Sequence, residues 1–93
     1  MPERESVEVR LSPEDRSLIL RYGYPFERIE RTLKALEGSV TVEIVVLDRF
    51  ELERLIGDLS YSANHADDEN LQLKLNDLCE RLEFFERGDY TVI

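Results

Sequence analysis

Residues 48–87 read DRFELERLIGDLSYSANHADDENLQLKLNDLCERLEFFER, and their leucine pattern predicts two amphipathic helices folded back on each other. In each half, apolar residues recur at spacings of three and four, which places them along one side of an α-helix. These two apolar stripes consist of Leu52, Leu55, Ile56, Leu59, Ala63 and Ala66 in the first half and of Leu71, Leu75, Leu78, Leu82 and Phe85 in the second. Each stripe needs an apolar partner, and the other stripe supplies it.

The two stripes cannot belong to one continuous helix. Ala66 and Leu71 are five residues apart, which at about 100° per residue would put the stripes on different sides of a single helix. The chain therefore turns between Asn64 and Asp68. Asn64 tolerates a left-handed conformation at the end of a helix, and Asp67 or Asp68 can cap the next one.

The ends of this helical hairpin carry their own signals. Asp48 with Glu51 three residues later is a variant of the capping box, which predicts the first helix to begin there. Arg87 followed by Gly88 is typical of a helix end. The hairpin is therefore bounded by residue types that terminate helices.

The chain before the hairpin contains a strand and two helices. Val7, Val9 and Leu11 alternate with charged residues, the period-two pattern of a half-buried strand. Ser12 then caps a helix that stops at Gly23. A second helix follows, and its apolar face is formed by Phe26, Ile29, Leu33 and Leu36.

Two further segments have the composition of strands. Residues 40–47 are rich in β-branched side chains, which predicts a central strand covered on both faces. Residues 89–93 are strand-like but too short to stand alone. Their end, Thr91-Val92-Ile93, also fits a peptide that adds to the sheet edge of another domain, although pairing with this protein's own strand is the better account.

The predicted fold is α+β, in the order β-α-α-β-α-α, with four helices packed on a two- or three-stranded sheet. The 93 residues suffice for one core, so residues 7–93 form a single domain behind a flexible N-terminus of residues 1–6. An edge of so small a sheet, at residues 7–11 or at the tail, can pair with a second molecule. We therefore expect a homodimer.

The charge of the chain restricts its partners. The net charge is −9, and residues 47–93 carry twelve acids against five bases, which repels nucleic acid. No apolar run is long enough to cross a membrane and the N-terminus lacks a signal peptide, so the expected location is the cytoplasm. The single cysteine, Cys79, lies beside an apolar stripe and is predicted to be a buried, inert thiol.

The interhelical turn holds the only histidine beside three carboxylates, His65, Asp67, Asp68 and Glu69. This composition suits a metal or acid/base site. Carboxylates at a helix start and Asn-His in a turn are, however, explained by capping alone. The spacing matches neither a zinc site nor a calcium loop, so we predict no metal, cofactor or catalytic residue here.

The aromatic turn at Tyr22, Tyr24 and Phe26 resembles the short turn of helix-turn-helix DNA readers. The following helix is nearly neutral, with Glu27 and Arg28 among its alternating charges. A reading helix needs exposed basic or amide side chains. We therefore interpret the aromatic residues as packing under the turn.

A second surface lies opposite the stripe of the first hairpin helix. Phe50, Arg54, Gly57 and Tyr61 recur at four, three and four residues, about 160–180° from Leu52. Glycine weakens a helix unless something approaches its backbone closely. This face either covers the sheet and the first helix pair or is an interface with a second copy or another protein, since Phe, Tyr and Arg are typical of interaction hot spots.

These observations favour a small acidic cytoplasmic interaction or regulatory protein that acts by binding through Phe50, Arg54, Gly57 and Tyr61. The alternative is an acidic nucleic-acid mimic or antitoxin-like inhibitor, whose carboxylates replace phosphates against a basic target. An enzyme is the weakest hypothesis, because one His, one Cys and no glycine-rich loop leave only carboxylate pairs and Arg for chemistry.

Overall fold

The computed structural model describes residues 6–87 and contains two strands and four helices in the predicted order. The elements are β1 (Ser6–Leu11), α1 (Pro13–Tyr22), α2 (Glu27–Ala35), β2 (Glu43–Asp48), α3 (Arg49–Asn64) and α4 (Glu69–Arg87). The α+β prediction is confirmed. The predicted strand at residues 89–93 and most of the N-terminal segment lie outside the described residues.

β1 and β2 form an antiparallel two-stranded sheet in which Val9 lies opposite Val45. One face of the sheet packs against the core. Its side chains are all buried: Val7, Val9, Leu11, Val45 and Leu47. The other face is not covered by any described residue, and Ile44 and Val46 remain 55% and 45% exposed. The prediction that this strand is covered on both faces is therefore wrong, since the helices lie on one side of the sheet only.

α3 and α4 form the predicted hairpin, joined by residues 65–68. The apolar stripes face inward, and their fully buried members include Leu52, Leu59, Ala63, Leu75, Leu78 and Leu82. Burying a leucine stabilises a fold by about 1.5–3 kcal/mol relative to leaving it exposed. This seam is the largest apolar unit of the core.

Capping side chains fix where α1, α3 and α4 begin. The carboxylate of Asp48 accepts a hydrogen bond from the backbone N–H of Glu51, whose side chain accepts from the N–H of Asp48. Ser12 and Asp15 make the same reciprocal pair at α1. Asp68 caps α4. The predicted capping residues are thus confirmed at all three helices.

The end of α3 differs from the prediction. The helix ends at Asn64 with His65 as its C-cap, at φ −107°. Among the described non-glycine residues only Tyr24 has a positive φ, of 46°. Asn64 is therefore not left-handed, because the backbone N–H of His65 bonds the carbonyl oxygens of the last turn without that conformation.

Gly23, which ends α1, lies against α3. A Cβ built there would be 2.7 Å from Cδ1 of Leu55 and 2.9 Å from the carbonyl oxygen of Ile19. Its φ of −100° is one that any residue adopts. Any larger residue here would require the side chain of Leu55 to shift or the end of α1 to move.

Two charged residues on α1 are buried, which the apolar pattern did not predict. Arg16 is 3% exposed, and its guanidinium donates hydrogen bonds to the carbonyl oxygens of Leu11, Ser39 and Thr41. This clamp fastens the segment before β2 to the end of β1. Each bonded carbonyl replaces water that Arg16 loses on burial, as a buried charge requires.

The second buried charge, Asp15, joins α1 to α4. Its two carboxylate oxygens lie 2.8 and 2.9 Å from the terminal nitrogens of Arg81. Burial alone would raise the pKa of Asp15, but hydrogen bonds from Arg81 and Ser12 hold it below its ordinary value. The ion pair therefore keeps a charged carboxylate at the edge of the core.

Cys79 is buried against α3, where its Sγ lies 3.7 Å from the carbonyl oxygen of Ile56. Burial raises the pKa of this thiol to about 11. A thiol that stays protonated at neutral pH is a poor nucleophile. The prediction of a buried cysteine is confirmed.

Candidate functional site

The four residues proposed as an interface lie together on the exposed side of α3. Phe50 and Tyr61 are 55% and 63% exposed, and Arg54 and Gly57 are exposed as well. Their spacing puts them on the side of the helix opposite the buried Leu59. The hypothesis that this face covers the sheet and the first helix pair holds only in part, because Phe50 and Arg54 contact Phe26 at the start of α2 while all four residues stay exposed.

One residue from the α1–α2 connection reaches this face. The rings of Phe26 and Phe50 stack with centroids 6.0 Å apart and planes at 25°. The guanidinium carbon of Arg54 lies 5.4 Å from the centre of the Phe26 ring. An exposed cation–π contact of this kind contributes about 0.5–1 kcal/mol. The stack is thus held in place while leaving both rings open to solvent.

A second aromatic pair lies at the other end of α3. The rings of Tyr61 and His65 are 4.1 Å apart between centroids, with planes at 29°. Nδ1 of His65 lies 2.9 Å from the carbonyl oxygen of Tyr61. A carbonyl oxygen only accepts, so Nδ1 carries a proton and donates it to this bond. The imidazole is thereby held against the tyrosine ring.

Gly57 separates the two aromatic pairs. No described atom lies within 4 Å of the position that a Cβ would occupy there. A glycine inside a helix costs about 1 kcal/mol relative to alanine. No described residue makes the close backbone approach that would account for this cost. Gly57 leaves a bare strip of helix backbone between two exposed ring stacks.

We call this surface the α3 outer face; it consists of Phe26, Phe50, Arg54, Gly57, Tyr61 and His65. Its charges are paired locally. Arg54 lies 3.5 Å from a carboxylate oxygen of Asp58, and Arg28 pairs with Glu51 beside it. Although the whole chain carries a charge of −9, these arginines are matched by carboxylates. The face therefore has a largely aromatic character.

No family model matches this chain, and neither a curated protein nor a solved structure gives a match.

The acidic turn does not assemble a metal site in the part of the chain that the structure describes. Residues 6–87 contain no group of three or more His, Cys, Asp and Glu side chains that could hold a metal ion. Oδ1 of Asp68 accepts from the backbone N–H of Asn70, 2.9 Å away, as a cap of α4. His65 stacks on Tyr61 instead of meeting the carboxylates of the turn.

The aromatic turn before α2 is only partly packed. Tyr22 contacts the core, whereas Tyr24 is 70% exposed and Phe26 lies on the α3 outer face. The interpretation that all three pack under the turn is therefore wrong for Tyr24 and Phe26. Tyr24 adopts a left-handed backbone conformation two residues before Phe26, whose ring stacks on Phe50.

Sequence reasoning identified four members of the α3 outer face and missed two. His65 follows Tyr61 by four residues, a spacing at which helical side chains meet, so its stacking could have been predicted. Phe26 was assigned to the apolar side of α2. Its contact with Phe50 depends on how α2 and α3 are oriented relative to each other, which a short sequence pattern does not predict.

No helix within residues 6–87 is long and apolar enough to cross a membrane.

Proposed function

We propose that this protein is a small acidic binding module that regulates another protein by contact, without chemistry of its own. The α3 outer face is the binding surface, and its occupant is an amphipathic helix of the partner. The observation that carries this proposal is the bare backbone at Gly57 between two exposed ring stacks.

The dimensions of the face suit a helix that crosses α3 at Gly57. Phe50 and Tyr61 lie about 10 and 6 Å from Gly57 along the helix axis. Packed helices approach to about 8–10 Å between axes, and a small residue at the crossing permits the closer value. A partner helix seated there would contact one ring stack on each side.

The chemistry of the face favours an apolar contact over a charged one. Arg54 and Arg28 already have carboxylate partners on this protein. Exposed Phe, Tyr and Arg residues are the types that dominate binding energy in protein interfaces. The partner helix should therefore present apolar side chains toward Phe50 and Tyr61, and the binding should depend little on salt.

The proposal is tested by affinity capture from a lysate of the source cells, treated with nuclease, followed by titration of the purified partner. The test variant carries Phe50→Asp and Tyr61→Asp. The matched control carries Leu73→Asp, which alters an exposed apolar residue on α4. We expect a protein that binds the wild type and the control and loses at least about tenfold in affinity for the test variant.

Hydrogen exchange on the purified complex then locates the contact. Binding should protect the helix around residues 50–61 and a helical segment of the partner. A partner that binds the test variant equally well, or that protects α4 instead, would refute the assignment of the α3 outer face.

The acidic-mimic hypothesis is favoured by a different observation. Glu69, Asp77, Glu80 and Glu83 are all exposed along α4. A basic target held by these carboxylates would be released as salt is raised, because screening weakens exposed charge pairs. Capture at low salt only, unaffected by Phe50→Asp and Tyr61→Asp, would select the mimic over the aromatic binding module.

A further inference from the structure

The uncovered face of the sheet carries apolar residues that do not pack in the core. Ile44 and Val46 are 55% and 45% exposed, and the alternation continues to Val42, which is also exposed. β-branched residues are enriched in strands because they pack well on a pleated surface. On β2, however, Ile44 and Val46 face solvent.

The register places two opposite charges beside these residues. Glu8 of β1 lies across from Val46, and Arg10 lies across from Ile44. Residues two apart on a strand point to the same side, so these four side chains form one face, which we call the open sheet face. Neither Glu8 nor Arg10 forms an ion pair or a side-chain hydrogen bond with another residue among 6–87.

We propose that the open sheet face packs against the same face of a second copy of this chain. The two-fold axis lies between the two sheets and parallel to them, and it crosses the strands at right angles at the level of Val9 and Val45. Each strand then lies over its own copy, which runs in the opposite direction. Glu8 then lies over Arg10 of the second copy, and Ile44 lies over Val46. Each contact occurs twice, as a two-fold interface requires.

Charge complementarity is the reason to choose a second copy as the occupant. The net charge of −9 opposes self-association over most of the surface. The centre of the open sheet face is an exception, since it carries one carboxylate and one guanidinium, and the two-fold axis matches each with its opposite. An unrelated partner would not require both charges in this symmetric placement.

The expected dimer is a weak one. Two strands of six residues give a face about 20 Å long and about 10 Å wide. This is below the roughly 800 Å² that each partner buries in a standard interface. The dimer should therefore dissociate at about 0.1–1 mM, and its mass should depend on concentration.

Sedimentation equilibrium of the full chain, from about 1 μM to about 1 mM, measures this dimer. Glu8→Arg places like charges over each other twice and should weaken the dimer at least about tenfold. Arg10→Glu should do the same with the opposite charge. The double variant Glu8→Arg with Arg10→Glu restores the matched arrangement with the original net charge, and should dimerise as the wild type does.

A second set of variants tests the apolar contacts. Ile44→Thr with Val46→Thr keeps β-branched residues in the strand but removes apolar surface, and should abolish the dimer. Phe50→Ser with Tyr61→Ser alters only the α3 outer face and should leave the dimer unchanged. This inference extends the self-association expected for the protein but does not depend on the α3 outer face, so either surface can fail alone.

Three results would overturn the proposal. The first is a chain that remains monomeric at about 1 mM. The second is a dimer indifferent to both single charge changes. The third is a double charge variant that folds, as judged by circular dichroism, but does not recover the dimer.

Discussion

Two glycines mark the two sides of α3. Gly23 presses against the inner side, where a Cβ would lie 2.7 Å from Leu55. Gly57 lies on the outer side, where nothing described comes within 4 Å of that position. On the inner side, each residue type is accounted for by packing within this chain. On the outer side, the rings of Phe50 and Tyr61 stack on Phe26 and His65 but stay more than half exposed, and no described atom packs against Gly57, which is why we propose that side for binding.

The largest expected effect on the free energy of unfolding comes from a residue on the inner side of α3. Leu59 is fully buried, so Leu59→Ala should lower the free energy of unfolding by about 2–5 kcal/mol. Two residues further along the same helix, Tyr61→Ala should change it by no more than about 0.5 kcal/mol. Urea unfolding followed by circular dichroism gives both values. Similar losses for the two variants would remove the distinction between the sides.

Gly23→Ala tests the close approach on the inner side. The added methyl group must displace Leu55 or move the end of α1, and such overpacking costs about 1–3 kcal/mol. Gly38→Ala is the control, because no atom lies within 4 Å of a Cβ at that position. Thermal unfolding should show a lower midpoint for the first variant and no loss for the second. An unchanged midpoint for Gly23→Ala would show that the approach can relax.

The ion pair of Asp15 with Arg81 joins α1 to α4. It predicts that the free energy of unfolding depends on pH. Because folding lowers the pKa of Asp15, its stabilising contribution is present above the unfolded value of about 3.9 and is lost as pH falls through the lower folded value. Asp15→Asn should cost about 1–3 kcal/mol at neutral pH.

The measurement for that prediction is the difference in unfolding free energy between the wild type and Asp15→Asn, taken from pH 7 downward. Other carboxylates titrate in both proteins and cancel in the difference. The difference should be largest at neutral pH and shrink below about pH 4. A constant difference across this range would show that the charge of Asp15 contributes nothing.

One substitution on the outer side should change the free energy of unfolding in the opposite direction. Gly57→Ala removes the cost of a helical glycine without a steric clash and should stabilise the protein by about 1 kcal/mol. The same change should weaken a partner helix that approaches the bare backbone. Urea unfolding and titration of the captured partner measure the two effects, and a loss of stability would contradict the open site seen at Gly57.

The features predicted from the sequence are those that local chemistry determines. The stripes of α3 and α4 follow from helical periodicity, and the caps at Ser12, Asp48 and Asp68 follow from side chains that bond a backbone N–H within three residues. The outer placement of Phe50 and Tyr61 was predictable for the same reason, since both lie on one helix.

The features that were missed join distant parts of the chain. Asp15 and Arg81 are 66 residues apart, and nothing in the pattern around either residue indicates the other. The open sheet face was missed for a related reason. The composition of residues 40–47 indicates side chains that suit a sheet. It does not indicate whether the helices cover one face of that sheet or both.

The capping residues also determine how much the chain length can vary. Ser12 alone separates β1 from α1, and Asp48 is both the last residue of β2 and the cap of α3. One residue inserted at either corner would rotate the following helix by about 100° and turn its apolar stripe out of the core. Residues 65–68 connect helices through a surface turn and can accept an insertion. Related proteins should therefore differ in length at this turn and not at the two corners.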